Sequence, residues 1–311
     1  MELFHRATHI DFMGGRKIAI GASVVIIVLA IISFGVRGLN LGLDFTGGVV
    51  VEVTYPQAVA PAKVRHVLDE AGFHNHSVQN FGSPEDIMVR LPPREGHASK
   101  AEGDAVVSAL QAANPKVVEK QVNTIGPQVG SSLRTQGLWA LIVTLILIFV
   151  YLVIRYEWRL ALGAIFATLH DVIFLIGIFS FVGWQFNLTV LAAVLAVLGY
   201  SVNDTVVVFD RIREDFKRMR RGGAKEIINT AINQTLSRTI MTSSMTMLVV
   251  IALLVFGGAP LRGFSIALAI GILVGTYSSI FIASASAYMF GVRREHFAAK
   301  KKVDAEAEGP P

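Results

Sequence analysis

The sequence predicts a polytopic α-helical membrane protein with six transmembrane helices and one small α+β domain outside the membrane. Its composition is 53% hydrophobic and 16% charged, whereas soluble domains carry about 25% charged residues. The apolar residues are concentrated in six runs of the length that crosses a bilayer, about 20 residues. The chain has no cysteine, which excludes a disulfide framework and a thiolate metal site.

The six apolar runs are predicted to be helices, because none alternates with a period of two and because open strands leave unsatisfied backbone groups in lipid. They cover residues 18–36, 138–154, 160–182, 186–209, 236–256 and 264–290. The first run follows Arg16 and Lys17, as in a signal peptide. It is longer than a signal core and lacks a clean cleavage site, so an uncleaved anchor is preferred to a cleaved signal.

The distribution of Lys and Arg predicts the orientation, since basic residues are retained on the cytoplasmic side. With residues 1–17 in the cytoplasm, a basic loop at 210–235 and the charged tail at 293–311 are cytoplasmic too. The two short loops on the opposite side carry Arg262 as their single basic residue. A basic cluster can also indicate nucleic-acid binding. Beside membrane spans the topological explanation is preferred, and no nucleic-acid partner is predicted.

Residues 37–136 are predicted to form the domain outside the membrane, before the remaining helices at 137–292. Turn signals and apolar patterns predict strands, helices and their order. The elements are strand 49–55, helix 61–72, a strand around Val78, strand 87–91, helix 101–113 and strand 117–122. This βαββαβ order is ferredoxin-like. Because such domains support many activities, the fold alone implies no function.

Small residues recur every four positions along the last predicted span. They are Gly263, Ala267, Gly271, Gly275, Ser279, Ala283 and Ala287. Such a stripe allows two helix backbones to approach closely. Packing inside the bundle is the preferred interpretation, and contact with a partner subunit is the alternative.

Ionisable residues inside the apolar runs are costly and therefore indicate function. They are Asp171 beside His170, then Asp204, then Arg238. Asp204 and Arg238 each lie roughly 27 Å from the outer ends of their consecutive helices, which predicts a direct pair. The alternative is that Arg238 extends to the cytoplasmic interface as a simple anchor.

Polar neighbours support a hydrated site around that pair. They are Thr239 and Thr242 on the face of Arg238, with Tyr200 and Asn203 near Asp204. A carboxylate there can take up and release a proton, driven by about 2.3 kcal/mol per charge per 100 mV of membrane potential. No phosphate-binding loop or H-E-x-x-H motif occurs, so neither ATP-driven nor enzymatic chemistry is predicted. His74 and His76 are a lone close pair, and no metal site is predicted there.

Five motifs together resemble the SecD/SecF family of protein-export membrane proteins, within the RND superfamily. They are residues 42–48 (GLDFTGG, with Asp44, Gly47 and Gly48), 125–130 (IGPQVG), 169–171 (LHD), 199–205 (GYSVNDT) and 237–239 (SRT). The resemblance extends from the N-terminus to about Arg294. Each motif alone is modest, but the ordered set is specific.

The resemblance implies an RND-like half-bundle in the bacterial inner membrane with both termini cytoplasmic. It implies an accessory subunit of the Sec protein translocase that, with SecD, uses the proton motive force in late stages of preprotein export. The implied partners are SecD, the SecYEG channel, YajC, YidC and the translocating preprotein. Asp204 and Arg238 fall on the family's ion-pathway positions, and Asp171 on a characteristic one. The coupling ion is H⁺, with Na⁺ left open, and no other cofactor or metal is implied.

Two other functions remain open. An RND-like proton-coupled transporter of small molecules or lipids shares the relay chemistry, but should carry a substrate pocket in larger external domains. A scaffold subunit without ion coupling should tolerate neutral residues at both Asp204 and Arg238.

Overall fold

A computed structural model describes residues 8–93, 99–219 and 221–297. In chain order, the elements are α1 (Arg16–Arg37), β1 (Asn40–Leu41), α2 (Leu43–Thr46), β2 (Gly48–Thr54), α3 (Pro61–Glu70), β3 (Ser77–Phe81), β4 (Ser83–Leu91), α4 (Ser99–Ala113), β5 (Val118–Ile125), α5 (Pro127–Arg155), α6 (Trp158–Val182), β6 (Gln185–Phe186), α7 (Leu188–Arg218), α8 (Ala224–Phe256), α9 (Gly258–Tyr277), a π-helical segment (Ser278–Ala283) and α10 (Ser284–Met289).

Six helices of the described chain are long and apolar enough to cross a membrane, which confirms the predicted number. The last of these spans runs over Pro260–Met289 and includes the π-helical segment. α5 begins about three turns before its predicted start. Pro127 occupies the first helical turn after the extended Gly126, a position that favours proline. Residues 127–136 therefore belong to α5, and not to the external domain.

The external domain is a four-stranded antiparallel sheet in the order β3-β4-β2-β5. Val51 of the central β2 pairs with Val89 of β4 and with Val122 of β5. Buried side chains of this sheet pack against Leu68 of α3 and Leu110 of α4. The predicted ferredoxin-like fold is confirmed.

A short joint connects this domain to the bundle. β1 pairs in parallel with β6, and the Gly42 N–H donates to the Phe186 carbonyl at 2.7 Å. Arg90 of β4 donates to the Leu41 carbonyl at 2.7 Å. A Cβ added at Gly130 of α5 would lie 2.6 Å from the Gly47 nitrogen, so α2 and α5 need glycines to pack this closely.

The basic loop predicted at 210–235 is mostly helical, which corrects the predicted boundaries. α7 continues to Arg218 and α8 starts at Ala224. Apolar residues at helical spacing explain the extension. Ile212, Phe216, Ile227, Ile228 and Ile232 are buried in the largest core cluster.

The small-residue stripe packs inside the bundle, as preferred from the sequence. A Cβ added at Gly271 would overlap the Val197 side chain of α7, and one at Gly275 would lie 3.1 Å from Ser201 Cβ. The α6 residue Gly163 faces Ala283 and Ala287 at similarly short range. The stripe therefore brings the last span against α6 and α7.

Candidate functional site

Asp171 is the centre of a buried polar cluster, which we call the aspartate–serine cluster (His170, Asp171, Ser201 and Ser278). The Asp171 side chain lies on α6, and the residue is 1% exposed. Its Oδ2 accepts hydrogen bonds from Ser278 Oγ at 2.8 Å and from Ser201 Oγ. Its Oδ1 lies 3.0 Å from Nδ1 of His170. Three parts of the bundle, α6, α7 and the last span, thus meet at one carboxylate.

The local backbone of the last span explains how Ser278 reaches Asp171. Ser278 is the first residue of the π-helical segment, and both Ser278 and Ser279 are fully buried. Single π turns within α-helices occur frequently at functional sites. Ser278 is a site residue that the sequence motifs do not predict. The adjacent serine pair within an apolar run was the available signal, but only Ser279 fitted the four-residue stripe.

Asp204 lies on α7, three residues after Ser201, and is 2% exposed. Within the described residues, its buried Oδ2 has no hydrogen-bond partner, and neither does the buried hydroxyl of Thr239 on α8. Buried polar groups are nearly always satisfied, so such exceptions point to a bound water or ion, or to a functional group. Asp204 and Thr239 are thus both buried, and each has an oxygen without a hydrogen-bond partner among the described residues.

Arg238 is exposed on α8, and no ion pair within 4.0 Å joins it to Asp204 in the described part of the chain. The predicted direct pair is therefore not formed. Burial of a charged pair costs desolvation that attraction repays only with excellent geometry. An outward arginine avoids that cost, as the anchor alternative expected.

The other predicted polar residues divide into two groups. Tyr200 donates to Ser243 Oγ at 2.9 Å, and Ser243 lies 2.6 Å from Thr276 Oγ1, which forms a chain of hydroxyls from α7 through α8 to α9. Thr242 donates to the Arg238 carbonyl at 2.8 Å, and Asn203 is exposed. Tyr200 therefore belongs to a half-buried hydroxyl chain, Asn203 lies at the surface of this bundle, and the half-buried Thr242 bonds within its own helix.

Asp44 of the 42–48 motif caps α7. Its Oδ2 accepts a hydrogen bond from the Leu188 N–H at 2.8 Å, beside Asn187, whose side chain accepts from the Val190 N–H at 2.9 Å. A carboxylate at a helix N-terminus satisfies free N–H groups and interacts favourably with the helix dipole. Gly47 and Gly48 have φ angles of 68° and 113°, which favour glycine. The motif therefore shapes the joint and does not form part of the carboxylate site.

The arrangement suits proton or cation transfer between oxygen groups. Among the described residues, no group of three or more His, Cys, Asp or Glu is placed to hold a metal ion. The site therefore consists of two buried carboxylates on α6 and α7, of which Asp171 is held by serine hydroxyls and Asp204 has an oxygen without a partner among the described residues.

Six spans, a ferredoxin-like external domain and an intramembrane carboxylate site define the class as a polytopic membrane protein of the transport type. Family models match in two regions: "Protein export membrane protein SecD/SecF, C-terminal" at residues 105–293, and "SecD/SecF GG Motif" at residues 32–59. The chain belongs to the SecD/SecF family of protein-export membrane proteins.

Similar proteins extend over almost the whole chain. The protein translocase subunit SecF of Vibrio alginolyticus is 46% identical over 92% of this chain and 91% of its own length. The subunit of the same name from Escherichia coli O157:H7 is 43% identical over 100% and 96% of the two lengths.

Solved structures agree with the fold. The crystal structure of SecDF, a translocon-associated membrane protein from Thermus thermophilus, matches 92% of this chain with a TM-score of 0.84 and 35% identity. The super-membrane-facing form of SecDF matches the same share with a TM-score of 0.69. This chain spans 39% of the length of either SecDF chain.

Proposed function

We propose that the protein is an accessory subunit of the Sec protein translocase that uses the proton motive force, together with a SecD chain, to promote late stages of preprotein export. The names of the relatives, matched over more than nine tenths of this chain, support the translocase role. The similarity to part of SecDF supports SecD as the partner, since a second half-bundle is needed to complete that architecture.

The observation that supports ion coupling is the unsatisfied, buried Asp204 carboxylate. It lies one turn from Ser201, which donates to Asp171. A charged carboxylate buried without a donor is costly, whereas a protonated one is tolerated. Its proton occupancy therefore responds to hydration, and an opening that hydrates Asp204 releases the proton. Each transferred charge supplies about 2.3 kcal/mol per 100 mV of membrane potential.

Arg238 is assigned the role of the movable countercharge. It is exposed on this bundle, and among the described residues it forms no ion pair with Asp204. Association with SecD would cover such a surface, and an arginine brought closer would favour the ionised carboxylate. The exposed Asn203 and the half-buried Thr242, on the same two helices, would then become polar groups of the subunit interface.

The proposed location is the bacterial inner membrane with both termini in the cytoplasm, since the Lys and Arg residues are concentrated on one side. The external domain then faces the translocating preprotein as it leaves the SecYEG channel. YajC and YidC are further proposed partners. The protein is proposed to act without enzymatic catalysis, and the coupling ion is H⁺, with Na⁺ as the alternative that oxygen ligands also permit.

The experiment is preprotein export into inverted membrane vesicles, with and without an uncoupler, at matched subunit levels. We expect Asp204→Asn to abolish the uncoupler-sensitive part of export while SecD still co-purifies. Arg238→Lys should impair less than Arg238→Met, because it retains the charge. Asp104→Asn, an exposed change on α4, is the control. Uncoupler-sensitive export by Asp204→Asn vesicles would refute the relay, and a dependence on Na⁺ alone would replace H⁺.

A scaffold function without ion coupling is the second candidate, favoured by the missing Asp204–Arg238 ion pair. In that case, Asp204→Asn and Arg238→Met would both leave export per assembled complex unchanged. The fraction of SecD recovered with each variant separates an assembly defect from a coupling defect.

A further inference from the structure

An apolar cavity of about 390 Å³ opens between α1, α5 and α6, at the end of the bundle nearest the external domain. Its walls include Ile31 and Phe34 of α1, Leu138 and Leu141 of α5, and Ile173 and Ile176 of α6. Phe45 and Phe186 of the joint close its upper end. Its volume falls in the range of ligand sites, roughly 300–1,000 Å³. The cavity is separate from the carboxylate site.

One charged residue, Arg134, lines this cavity. It is exposed on α5, two turns from the start of that helix, and its guanidinium forms no ion pair or side-chain hydrogen bond within the described residues. Trp139 on the same helix is 60% exposed. Arg134 precedes the apolar run of α5 and Trp139 lies at the start of that run, and tryptophan is enriched at the membrane–water interface. The cavity mouth thus lies at headgroup level, with its apolar part at acyl-chain level.

We propose that this cavity binds a phospholipid of the leaflet on the domain side, with one acyl chain inside and the headgroup phosphate on Arg134. Charge complementarity supports this occupant, because the single cation stands at the edge of an otherwise apolar lining. Arginine pairs with phosphate through parallel hydrogen bonds. A transmembrane helix, 10–12 Å across with its side chains, is too wide for the interior and would cover only the mouth.

The bound chain would contact the joint directly. Phe45 belongs to α2, which packs on α5, and Phe186 belongs to β6, which pairs with β1. The lipid therefore fills the space between the external domain and three membrane helices, and its departure would expose apolar side chains of all of them.

The experiment uses the full chain in nanodiscs of phosphatidylethanolamine with a small fraction of phosphatidylglycerol that carries a diazirine on its acyl chain. After irradiation, cross-linked peptides are quantified by mass spectrometry. We expect cross-links at Ile31, Phe34 and Leu138 to exceed those at the exposed Leu248 of α8. Arg134→Gln should lower this enrichment by about fivefold, the effect of removing one cation beside anionic lipid. Arg262→Gln, also an exposed arginine, should leave it unchanged.

A second variant fills the cavity. Ile176→Trp should abolish the enrichment, whereas Leu248→Trp, the same type of change on an exposed face, should not. Equal cross-linking along α1, α5 and α8 would overturn the proposal, as would enrichment that survives either Arg134→Gln or Ile176→Trp. Enrichment that disappears when SecD is co-purified would show that a protein segment occupies the site. If Ile176→Trp does not fold, the surface change Arg134→Gln still decides.

Discussion

Ser278 donates a 2.8 Å hydrogen bond to Asp171 and so joins the last membrane span to the third. The same carboxylate oxygen accepts from Ser201 of α7. A buried carboxylate that receives two hydroxyl donors is held in one orientation, and each donor offsets part of its desolvation. The π-helical segment is therefore part of the site, because it begins at the residue that supplies one of these donors.

Removal of that donor should be costly. Ser278→Ala is expected to lower the free energy of unfolding by about 1–3 kcal/mol, because Asp171 loses a buried partner. Ser279→Ala is the matched control, since Ser279 is equally buried but donates to the Thr276 carbonyl of its own helix at 3.0 Å. Thermal unfolding in detergent measures both. An equal loss in the two variants would contradict a specific role for Ser278.

Because Asp44 of the 42–48 motif caps α7, its replacement should lower the stability of that helix end. Asp44→Ala should cost about 0.5–2 kcal/mol, the usual loss for a helix cap, and Asp44→Asn should cost less because it keeps an acceptor oxygen. Hydrogen exchange at the Leu188 amide gives a local readout and should accelerate most in Asp44→Ala. If that amide exchanges at the original rate, the hydrogen bond does not protect it.

Glycines on facing helices provide a matched pair. Gly271→Ala should destabilise the protein by about 1–3 kcal/mol, because the added methyl group overlaps Val197. A Cβ at Gly199 of α7 has no neighbouring atom within 4 Å, so Gly199→Ala should be neutral or stabilising by up to about 1 kcal/mol. Unfolding midpoints in detergent test the difference. Similar midpoints for the two variants would show that α7 and the last span can move apart at Gly271 without loss of stability.

The external domain should lose stability in acid. Hydrogen bonds from Lys120, at 2.7 Å, and from Thr54, at 2.6 Å, hold the pKa of Asp86 below its usual value of 3.8. A lowered folded-state pKa contributes stability that is fully present above pH 3.8 and is lost as the pH falls through the folded value.

Thermal unfolding of the external domain, measured at several pH values between pH 6 and pH 2, tests this loss of stability. Asp86→Asn and Lys120→Met should both reduce the loss on acidification, because each removes the interaction that favours the charged carboxylate. An unchanged acid profile in both variants would exclude Asp86 as a source of the pH dependence.

The six spans could be predicted from the sequence because crossing lipid requires long apolar runs. The chain order of strands and helices in the external domain could be predicted because a two-layer core requires a regular spacing of apolar residues. Hydropathy predicts too late a start for α5, since Ser131, Ser132 and Thr135 lower the hydropathy of its first turns without breaking the helix. Hydropathy predicts too long a basic loop for a similar reason. The charged residues around Ile212 and Ile228 lower the mean hydropathy there, although both isoleucines are buried.

The candidate site was predictable in part. Asp171 and Asp204 could be identified because a carboxylate in an apolar run is costly. Ser278 could not, because a π turn changes which residues face inward, and a four-residue period assumes a regular helix. The direct Asp204–Arg238 pair was inferred from depth alone. Depth along a helix does not specify the direction of a side chain, and Arg238 points outward.

α7 is a single uninterrupted helix over Leu188–Arg218. Its 31 residues contain no proline, and it extends for roughly 45 Å from the joint, where Asp44 holds its end. Asp204 lies about 24 Å along this helix. The opposing span, by contrast, is interrupted at Ser278, where its winding changes. A displacement of the external domain would therefore be carried along α7, and the geometry of the neighbouring span would change most readily at the π-helical segment beside Asp171. Such a displacement would change the distance between Ser201 and Ser278, the two residues that donate to Asp171.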